Sequence, residues 1–278
     1  MSTRESGAPG KGFVRVMPWV FVLIWATGFI VARYGMPHAP PMTFLAWRYA
    51  LSIACFLCWI AISGVVWPQD RAQWGHLALV GVLMHACYLG GVWSAVKSGM
   101  GSGLSALIVG LQPVLTAFWL AATTSFVSRR QWLGLALGLT GLILVVARKF
   151  GVGSEVTAWS LLMAGGALIG ITAGTVYQKR FVKPCDVRTA NTVQLLAALT
   201  VTLPLAWLES EPVQVNHELL GAMAWSVLGL TLGGSSLMYM LIQRGALERV
   251  TSLLYLVPPT TALMAWVLFG EPITVATM

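Results

Sequence analysis

Long apolar runs separated by short polar connections make up almost the whole chain. Each run of about 17 to 25 residues is long enough to cross a hydrocarbon layer roughly 30 Å thick as a helix. Because the runs are continuously apolar, with no alternation of polar and apolar positions, they predict membrane-spanning α-helices instead of transmembrane strands. The predicted spans are 16–34, 43–64, 75–96, 104–126, 131–147, 158–178, 190–208, 220–242 and 250–269.

Composition and charge support this interpretation. Of the 278 residues, 57% are hydrophobic and only 9% are charged, whereas about a quarter are charged in an average soluble domain. With the N-terminus in the cytoplasm, twelve basic residues lie in cytoplasmic connections and four outside, Arg48 apart, as the positive-inside rule requires. The net charge of +8 therefore reflects membrane topology, and its spread over separate loops argues against a nucleic-acid partner.

A shift of 146 residues aligns the chain with itself. It superposes spans one to four on spans six to nine, and five spans separate equivalent positions. Because five is odd, the second half must cross the membrane in the opposite direction, as in the inverted repeats of secondary transporters. We therefore predict a first repeat at 1–147 and an inverted second repeat at 148–278, with a tenth helix expected beyond the nine present. The coinciding residues include Gly28 with Gly174, Thr43 with Thr189, Gly99 with Gly245, and Pro113 with Pro259.

Four stretches resemble the EamA type of the drug/metabolite transporter superfamily. They are WATGFIVARYG at 25–35, PPMTFLAWRYALS at 40–52, AVKSGMGSGLSALIVGLQPVLTAFW at 95–119 and GALERVTSLLYLVPPTTALMAWVLFGEP at 245–272. The resemblance implies ten helices in two inverted five-helix repeats, and export of amino acids or other metabolites from bacteria. Gly270 and Glu271 match the Gly-Glu pair that the family carries after its ninth span, but Ser125 and Phe126 stand at the first repeat's counterpart.

Prolines at the centre of two spans predict a cavity at the membrane midplane. Pro113 in span four and Pro258 with Pro259 in span nine each remove a helix hydrogen bond. Unpaired carbonyls at this depth are tolerated where protein or a water-filled cavity satisfies them. A simple packing kink is the alternative, but the repeat relation of the two sites favours a cavity. We expect Gly99 and Gly245 to contribute to gating with these prolines.

Polar and aromatic side chains deep in the spans are the candidate ligands of this cavity. His85 is the histidine that lies well inside a span, where it could contact a solute or a neighbouring helix. For the aromatic residues, packing is as good an explanation as binding. The predicted substrate-binding residues are Trp25, His85, Tyr88, Gln112, Trp119, Tyr177, Tyr239, Ser252 and Tyr255, and Gln178 and Gln194 lie at similar depth.

Arg48 stands in the otherwise apolar run TFLAWRYALS. It lies about six residues, or roughly 9 Å, below the outer edge of span two, so its side chain could extend to the outer interface. Its repeat counterpart is Gln194, which conserves hydrogen bonding but not charge. We favour a structural or outer-gate role for Arg48, with contact to a substrate carboxylate as the second hypothesis.

The nine acidic residues all fall in loops or at span ends. A proton relay usually places carboxylates inside the membrane, so we expect facilitated movement or coupling through His85. The chain contains no nucleotide-binding motif, and no cofactor, metal site or catalytic cluster is predicted.

The predicted protein is a multi-pass transporter of the bacterial inner membrane that exports small amphipathic metabolites by alternating access. Amino acids with aromatic or bulky apolar side chains are the favoured substrates. A carrier for sugar phosphates or nucleotide sugars and a channel for small solutes remain the alternatives. The expected partners are the solute and the lipid bilayer, and a monomer would be sufficient for this function.

Overall fold

The computed structural model of the protein describes residues 11–123, 156–243 and 254–271, with the short pieces 132–134, 136–137 and 140–141 between the first two ranges. These residues form an all-helical bundle, as predicted. The α-helices are α1 (Lys11–Gly35), α2 (Pro41–Ser63), α3 (Arg71–Gly81), α4 (Tyr88–Lys97), α5 (Ser102–Val109), α6 (Gln112–Thr123), α7 (Ala158–Phe181), α8 (Val187–Trp207), α9 (His217–Trp225), α10 (Ser236–Gln243) and α11 (Val257–Phe269). Two segments, π1 (Val82–Cys87) and π2 (Ser226–Ser235), are π-helical.

Within the described residues, seven helical segments are long and apolar enough to cross a membrane. They coincide with predicted spans one to four and six to eight, while the ninth appears as the shorter helix Val257–Phe269. The predicted fifth span, 131–147, lies largely outside the described residues. Three of the seven are composite, because Arg71–Lys97 and His217–Gln243 each contain a π-helical segment and Ser102–Trp119 contains a break.

Capping residues in the sequence fix where the helices begin and end. Asp70 and Asn216 each accept a hydrogen bond from a backbone N–H in the first turn of the helix that follows, which satisfies donors that have no partner within the helix. Pro41 begins α2, where a missing N–H costs nothing. Gly64 ends α2 with φ 62°, a left-handed conformation that favours glycine.

The packing of the helices repeats along with the sequence. Helix α2 of the first repeat packs along α8 of the second, and these two are exchanged by the 146-residue shift. Likewise π1 and α3 pack on α7, and their counterparts π2 and α9 pack on α1. The shift converts these contacts into themselves or into one another, as a two-fold relation between the repeats requires.

Both π-helical segments occupy the same position in their repeats. Shifting π1 by 146 residues gives 228–233, which lies inside π2. In π2 the hydroxyl of Thr231 donates to the carbonyl oxygen of Ser226, five residues earlier, at 2.9 Å. Because π-helical turns are rare and are found preferentially at functional sites, their repetition draws attention to the space between them.

The mid-span prolines break their helices instead of kinking them. Helix α5 ends at Val109 and α6 begins at Gln112, which leaves Gly110 and Leu111 in a turn. In the second repeat a turn precedes α11, which begins at Val257. Pro113, Pro258 and Pro259 therefore lie in the first turn of a new helix, where proline fits. A Cβ at Gly110 would lie 2.6 Å from Pro258 Cγ, so the two breaks are in direct contact.

Carboxylates of the second repeat cap helices of the first at the end of the bundle predicted to face outside. Glu209, just after α8, accepts hydrogen bonds from the backbone N–H groups of Met42 and Thr43 at 2.9 and 2.8 Å. Glu271, just after α11, accepts from the hydroxyl of Ser102 at 3.0 Å and pairs with Arg33 at 3.1 Å. These contacts connect the repeats at this end.

Candidate functional site

A cavity lies between the two repeats, and side chains of both line it. Its wall comes from spans one, two, three, six, seven and eight, and the two π-helical segments both contribute. The lining residues are Trp25, Gly28, Phe29, Arg48, Met84, His85, Tyr88, Leu89, Val92, Trp93, Gln178, Gln194, Leu230, Ser235, Met238 and Tyr239.

Many positions in this wall are pairs related by the repeat. Arg48 and Gln194 are separated by 146 residues, and so are Trp93 and Tyr239. The same separation relates Met84 to Leu230, Leu89 to Ser235 and Val92 to Met238. The cavity therefore lies where the pseudo-two-fold axis would pass, and its two halves have similar shapes. They differ in charge, because one half carries a guanidinium where the other carries an amide.

Arg48 is buried in this wall, with 3% of its surface exposed, and does not reach the interface as the sequence had suggested. Its Nε donates to the hydroxyl of Thr231 in π2 at 3.0 Å. That hydroxyl is itself held by its hydrogen bond to the Ser226 carbonyl oxygen. The side chain turns toward the second repeat because a neighbouring acceptor and the cavity lie there, closer than the outer interface.

Two amide donors in the wall have no partner within the part of the chain that the structure describes. The amide nitrogens of Gln178 and Gln194 are buried without a hydrogen-bond acceptor. Buried polar groups are normally paired. Unpaired donors beside a buried guanidinium make this part of the wall complementary to an acceptor that the protein itself does not supply.

Aromatic rings form the other surface of the cavity. Trp25 and Tyr88 lie nearly parallel, with ring centroids 6.2 Å apart, and Trp93 is stacked on Phe44 at 4.5 Å. His85 lies in π1, and its carbonyl oxygen accepts a hydrogen bond from the hydroxyl of Tyr49 at 2.9 Å. This hydrogen bond connects α2 to π1 beside the cavity.

A smaller cavity adjoins the two helix breaks. Gln112 lines it, together with Trp25 and Phe29, which also line the larger cavity. The amide nitrogen of Gln112 donates to the hydroxyl of Thr175 at 3.0 Å, whereas its oxygen has no partner within the described residues. The helix breaks therefore lie beside a cavity that shares two lining residues with the larger one.

The structure brings Trp25, Arg48, His85, Tyr88 and Tyr239 together in the larger cavity and Gln112 in the smaller one. Whether they bind a solute stays a prediction.

Three other predicted ligands lie elsewhere. Trp119 and Tyr255 line neither cavity and are 50% and 47% exposed, because depth in the membrane does not determine which way a side chain points. The hydroxyl of Tyr177 instead forms a hydrogen bond with Nδ1 of His76 at 2.8 Å.

Ser252 and Gly245 lie outside the described residues. Gly99 has φ 96° in the turn after α4, so its conformation requires glycine at that position. Sequence reasoning missed the apolar lining, including Trp93. The repeat could have identified Trp93, because it is the counterpart of the predicted ligand Tyr239.

The chemistry of the wall is limited to a few kinds of group. No acidic side chain lines either cavity among the described residues, and no group of three or more histidine, cysteine or acidic residues in the same ranges could hold a metal ion. The wall offers one cation, neutral hydrogen-bond donors and aromatic rings.

Known proteins resemble the chain over most of its length. It is 25% identical over 255 residues to the inner membrane transporter YedA of Escherichia coli, described as uncharacterized, covering 91% of this chain and 81% of that protein. It is 24% identical over 268 residues to a "Probable amino-acid metabolite efflux pump" of Salmonella typhimurium, covering 91% and 86%. One solved crystal structure has a TM-score of 0.71 at 20% identity, with 96% of this chain and 92% of that chain covered, and shares the fold.

The EamA-like transporter family model matches the chain twice, at 17–147 and at 157–278. The two matches correspond to the halves that the internal shift had aligned, and together they span nearly the whole sequence. The chain therefore belongs to the EamA-like transporter family.

Proposed function

We propose that this transporter exports amino acids with aromatic or bulky apolar side chains across the bacterial inner membrane. The observation that carries the proposal is the central cavity, where one guanidinium and several amide donors face an aromatic wall between the two repeats. A polar group at one end of a solute and an apolar body at the other would both be accommodated. Two curated relatives, named as an inner membrane transporter and an amino-acid metabolite efflux pump, agree with this proposal.

Alternating access around the cavity is the mechanism we infer. The repeat-related pairs in the wall mean that rocking one repeat against the other would exchange the two halves of the site. Glu209 and Glu271 connect the repeats at one end of the bundle, where they would have to release for the cavity to open. We further propose that this end faces outside and that the N-terminus is cytoplasmic, as the distribution of basic residues indicates.

The energy source in this proposal is the solute gradient itself, or proton coupling through His85. The acidic residues near the bundle serve as caps and ion-pair partners at helix ends, as Glu209 and Asp70 do. In Asp70, the hydrogen bond from the Ala72 backbone and then the ion pair with Lys183 lower the pKa of the carboxyl. Such a group stays ionised in neutral solution and does not exchange protons during transport.

The direct test is transport by purified protein in liposomes. We expect saturable efflux of labelled phenylalanine and tryptophan, with accelerated exchange when unlabelled phenylalanine is present on the other side. Exchange of this kind distinguishes a carrier from a channel, because a channel shows no such acceleration. Protein-free liposomes set the leak rate. If the protein moves a sugar phosphate but none of these amino acids, the proposed substrate would be rejected in favour of the alternative, a sugar-phosphate carrier.

A further inference from the structure

Most hydrogen-bond donors of the Arg48 guanidinium have no acceptor in the described part of the chain. There, only Nε donates a hydrogen bond, to Thr231 at 3.0 Å, although a guanidinium carries five N–H donors in a planar fork. Among the described residues the acidic side chains with ion-pair partners are Asp70, Asp186, Glu211, Glu218 and Glu271, and none of them pairs with Arg48. A buried charge without a partner is strongly unfavourable. The open side of the fork lies at the cavity.

Two amides near Arg48 also lack a hydrogen-bond acceptor. Gln194, its counterpart in the second repeat, and Gln178 both have amide nitrogens without partners among the described residues. Both side chains line the cavity with Arg48. One cation and two neutral donors in one wall favour a ligand with a negatively charged, multiply accepting group.

We propose that Arg48 determines specificity by binding a carboxylate of the transported solute, with Thr231 holding the guanidinium in place. A carboxylate matches the fork with two parallel hydrogen bonds. The single cation favours this monoanion over a phosphate ester, whose second charge would stay unneutralised. The solute class is therefore an aromatic or bulky apolar monocarboxylate, and an amino acid is one member. This inference rests on the proposed function and specifies the group that the site recognises.

Competition by matched analogues against labelled phenylalanine in liposomes tests the inference. The set is phenylalanine, 3-phenylpropionate without the ammonium group, phenylalaninamide without the carboxylate, and phenyl phosphate. For the wild-type protein we expect phenylalanine and phenylpropionate to compete about 10- to 100-fold better than the amide, the range expected for a charge-assisted hydrogen bond. Phenyl phosphate should compete no better than the amide.

The Arg48→Gln variant should lose this discrimination. We expect the acids to weaken about 10- to 100-fold, the amide to stay within about twofold, and Arg48→Lys to fall between because it keeps the charge but loses the fork. Arg33→Gln is the matched control, because Arg33 pairs with Glu271 away from the cavity. It should keep the wild-type ratio of acid to amide.

Two results would overturn the inference. One is equally strong competition by the amide and by the acid in the wild-type protein. This comparison does not depend on the folding of any variant. The other is a monodisperse Arg48→Gln protein with the wild-type preference for the acid. A protein that moves none of the amino acids but another tracer would refute the proposed function, and competition by acid and amide against that tracer would still decide the role of Arg48.

Discussion

At the scale of single residues, the two repeats differ most at one pair of positions. Arg48 and Gln194 occupy equivalent places in the cavity wall, and both are buried. The repeat thus preserves a polar side chain at this depth while only one copy keeps a charge. A solute with a charged end would therefore have a preferred orientation in a site whose overall shape is nearly symmetric.

Replacement of Thr231 by valine tests how Arg48 is positioned. The change removes the hydroxyl that accepts a hydrogen bond from Nε of Arg48 and donates one to the carbonyl oxygen of Ser226. It preserves the shape of the side chain. Because one hydrogen bond to a charged group is worth roughly 1.5–3 kcal/mol, we expect the KM for phenylalanine to rise about tenfold. Inhibition by phenylalaninamide should change little. An equal loss for acid and amide would instead indicate general damage to the cavity.

At the scale of helices, α3 meets α8 so closely that only glycine fits. A Cβ on Gly81 would lie 2.1 Å from the carbonyl oxygen of Gln194, and a backbone atom cannot move aside as a flexible side chain can. Gly75, on the same helix, has no atom within 4 Å of a Cβ position. The first glycine is therefore required by the contact between repeats, and the second is not.

We expect Gly81→Ala to lower the free energy of unfolding by about 1–3 kcal/mol, the usual cost of overpacking. It should also impair transport, because the displaced residue lines the cavity. Gly75→Ala is the matched control and should behave as wild type. Thermal unfolding in detergent, followed together with liposome transport, would measure both effects, and equal melting temperatures for the two variants would contradict the predicted contact.

The carboxylate caps between repeats provide a second prediction at this scale. Glu209→Gln keeps a hydrogen-bond acceptor for Met42 and Thr43 but removes the charge at the N-terminus of α2. Since such a charge is worth about 0.3–1 kcal/mol, and up to roughly 2 kcal/mol when partly buried, the melting temperature should fall.

Glu211→Gln is the comparison for this variant. Glu211 pairs with Lys97 at the surface, where ion pairs contribute about 0–1 kcal/mol, so its melting temperature should change less. A larger decrease for Glu211→Gln than for Glu209→Gln would show that the cap does not connect the repeats.

The sequence predicted the helices and the repeat well but only part of the site. Length and hydropathy place a span, and one constant shift relates the repeats, so both were evident. Deep polar residues such as Arg48 and His85 could be identified because their chemistry is unusual in the membrane. Met84 and Leu89 could not be identified, since the sequence does not distinguish an apolar side chain that faces lipid from one that faces the cavity. For Trp119 the sequence indicated the depth in the membrane but not the direction of the side chain, which is half exposed.

At the scale of the whole molecule, a fixed charge at the central cavity would make the proposed alternating access sensitive to the membrane potential. Arg48 need not move across the membrane. When the cavity opens to one side, the electric potential at the guanidinium approaches that of the connected solution. The electrostatic energy of the guanidinium therefore changes when the cavity switches sides. The two states then differ by up to about 2.3 kcal/mol per 100 mV.

A zwitterionic solute adds no net charge, so this dependence should belong to the protein. With the inside of the liposome negative, we expect the KM for internal phenylalanine to fall in the wild type and to stay constant in Arg48→Gln. Imposed potassium diffusion potentials would measure this, with Arg33→Gln as the control that keeps the wild-type response. A KM that responds equally to voltage in Arg48→Gln would assign the effect to another charge.

For a living bacterium, whose cytoplasm is electrically negative, the same charge has a physiological consequence. The resting voltage would hold the empty transporter with its cavity open to the cytoplasm, ready to load. One arginine in the wall would thus lower the KM for the solute on the cytoplasmic side, while the net direction of transport would still follow the solute gradient.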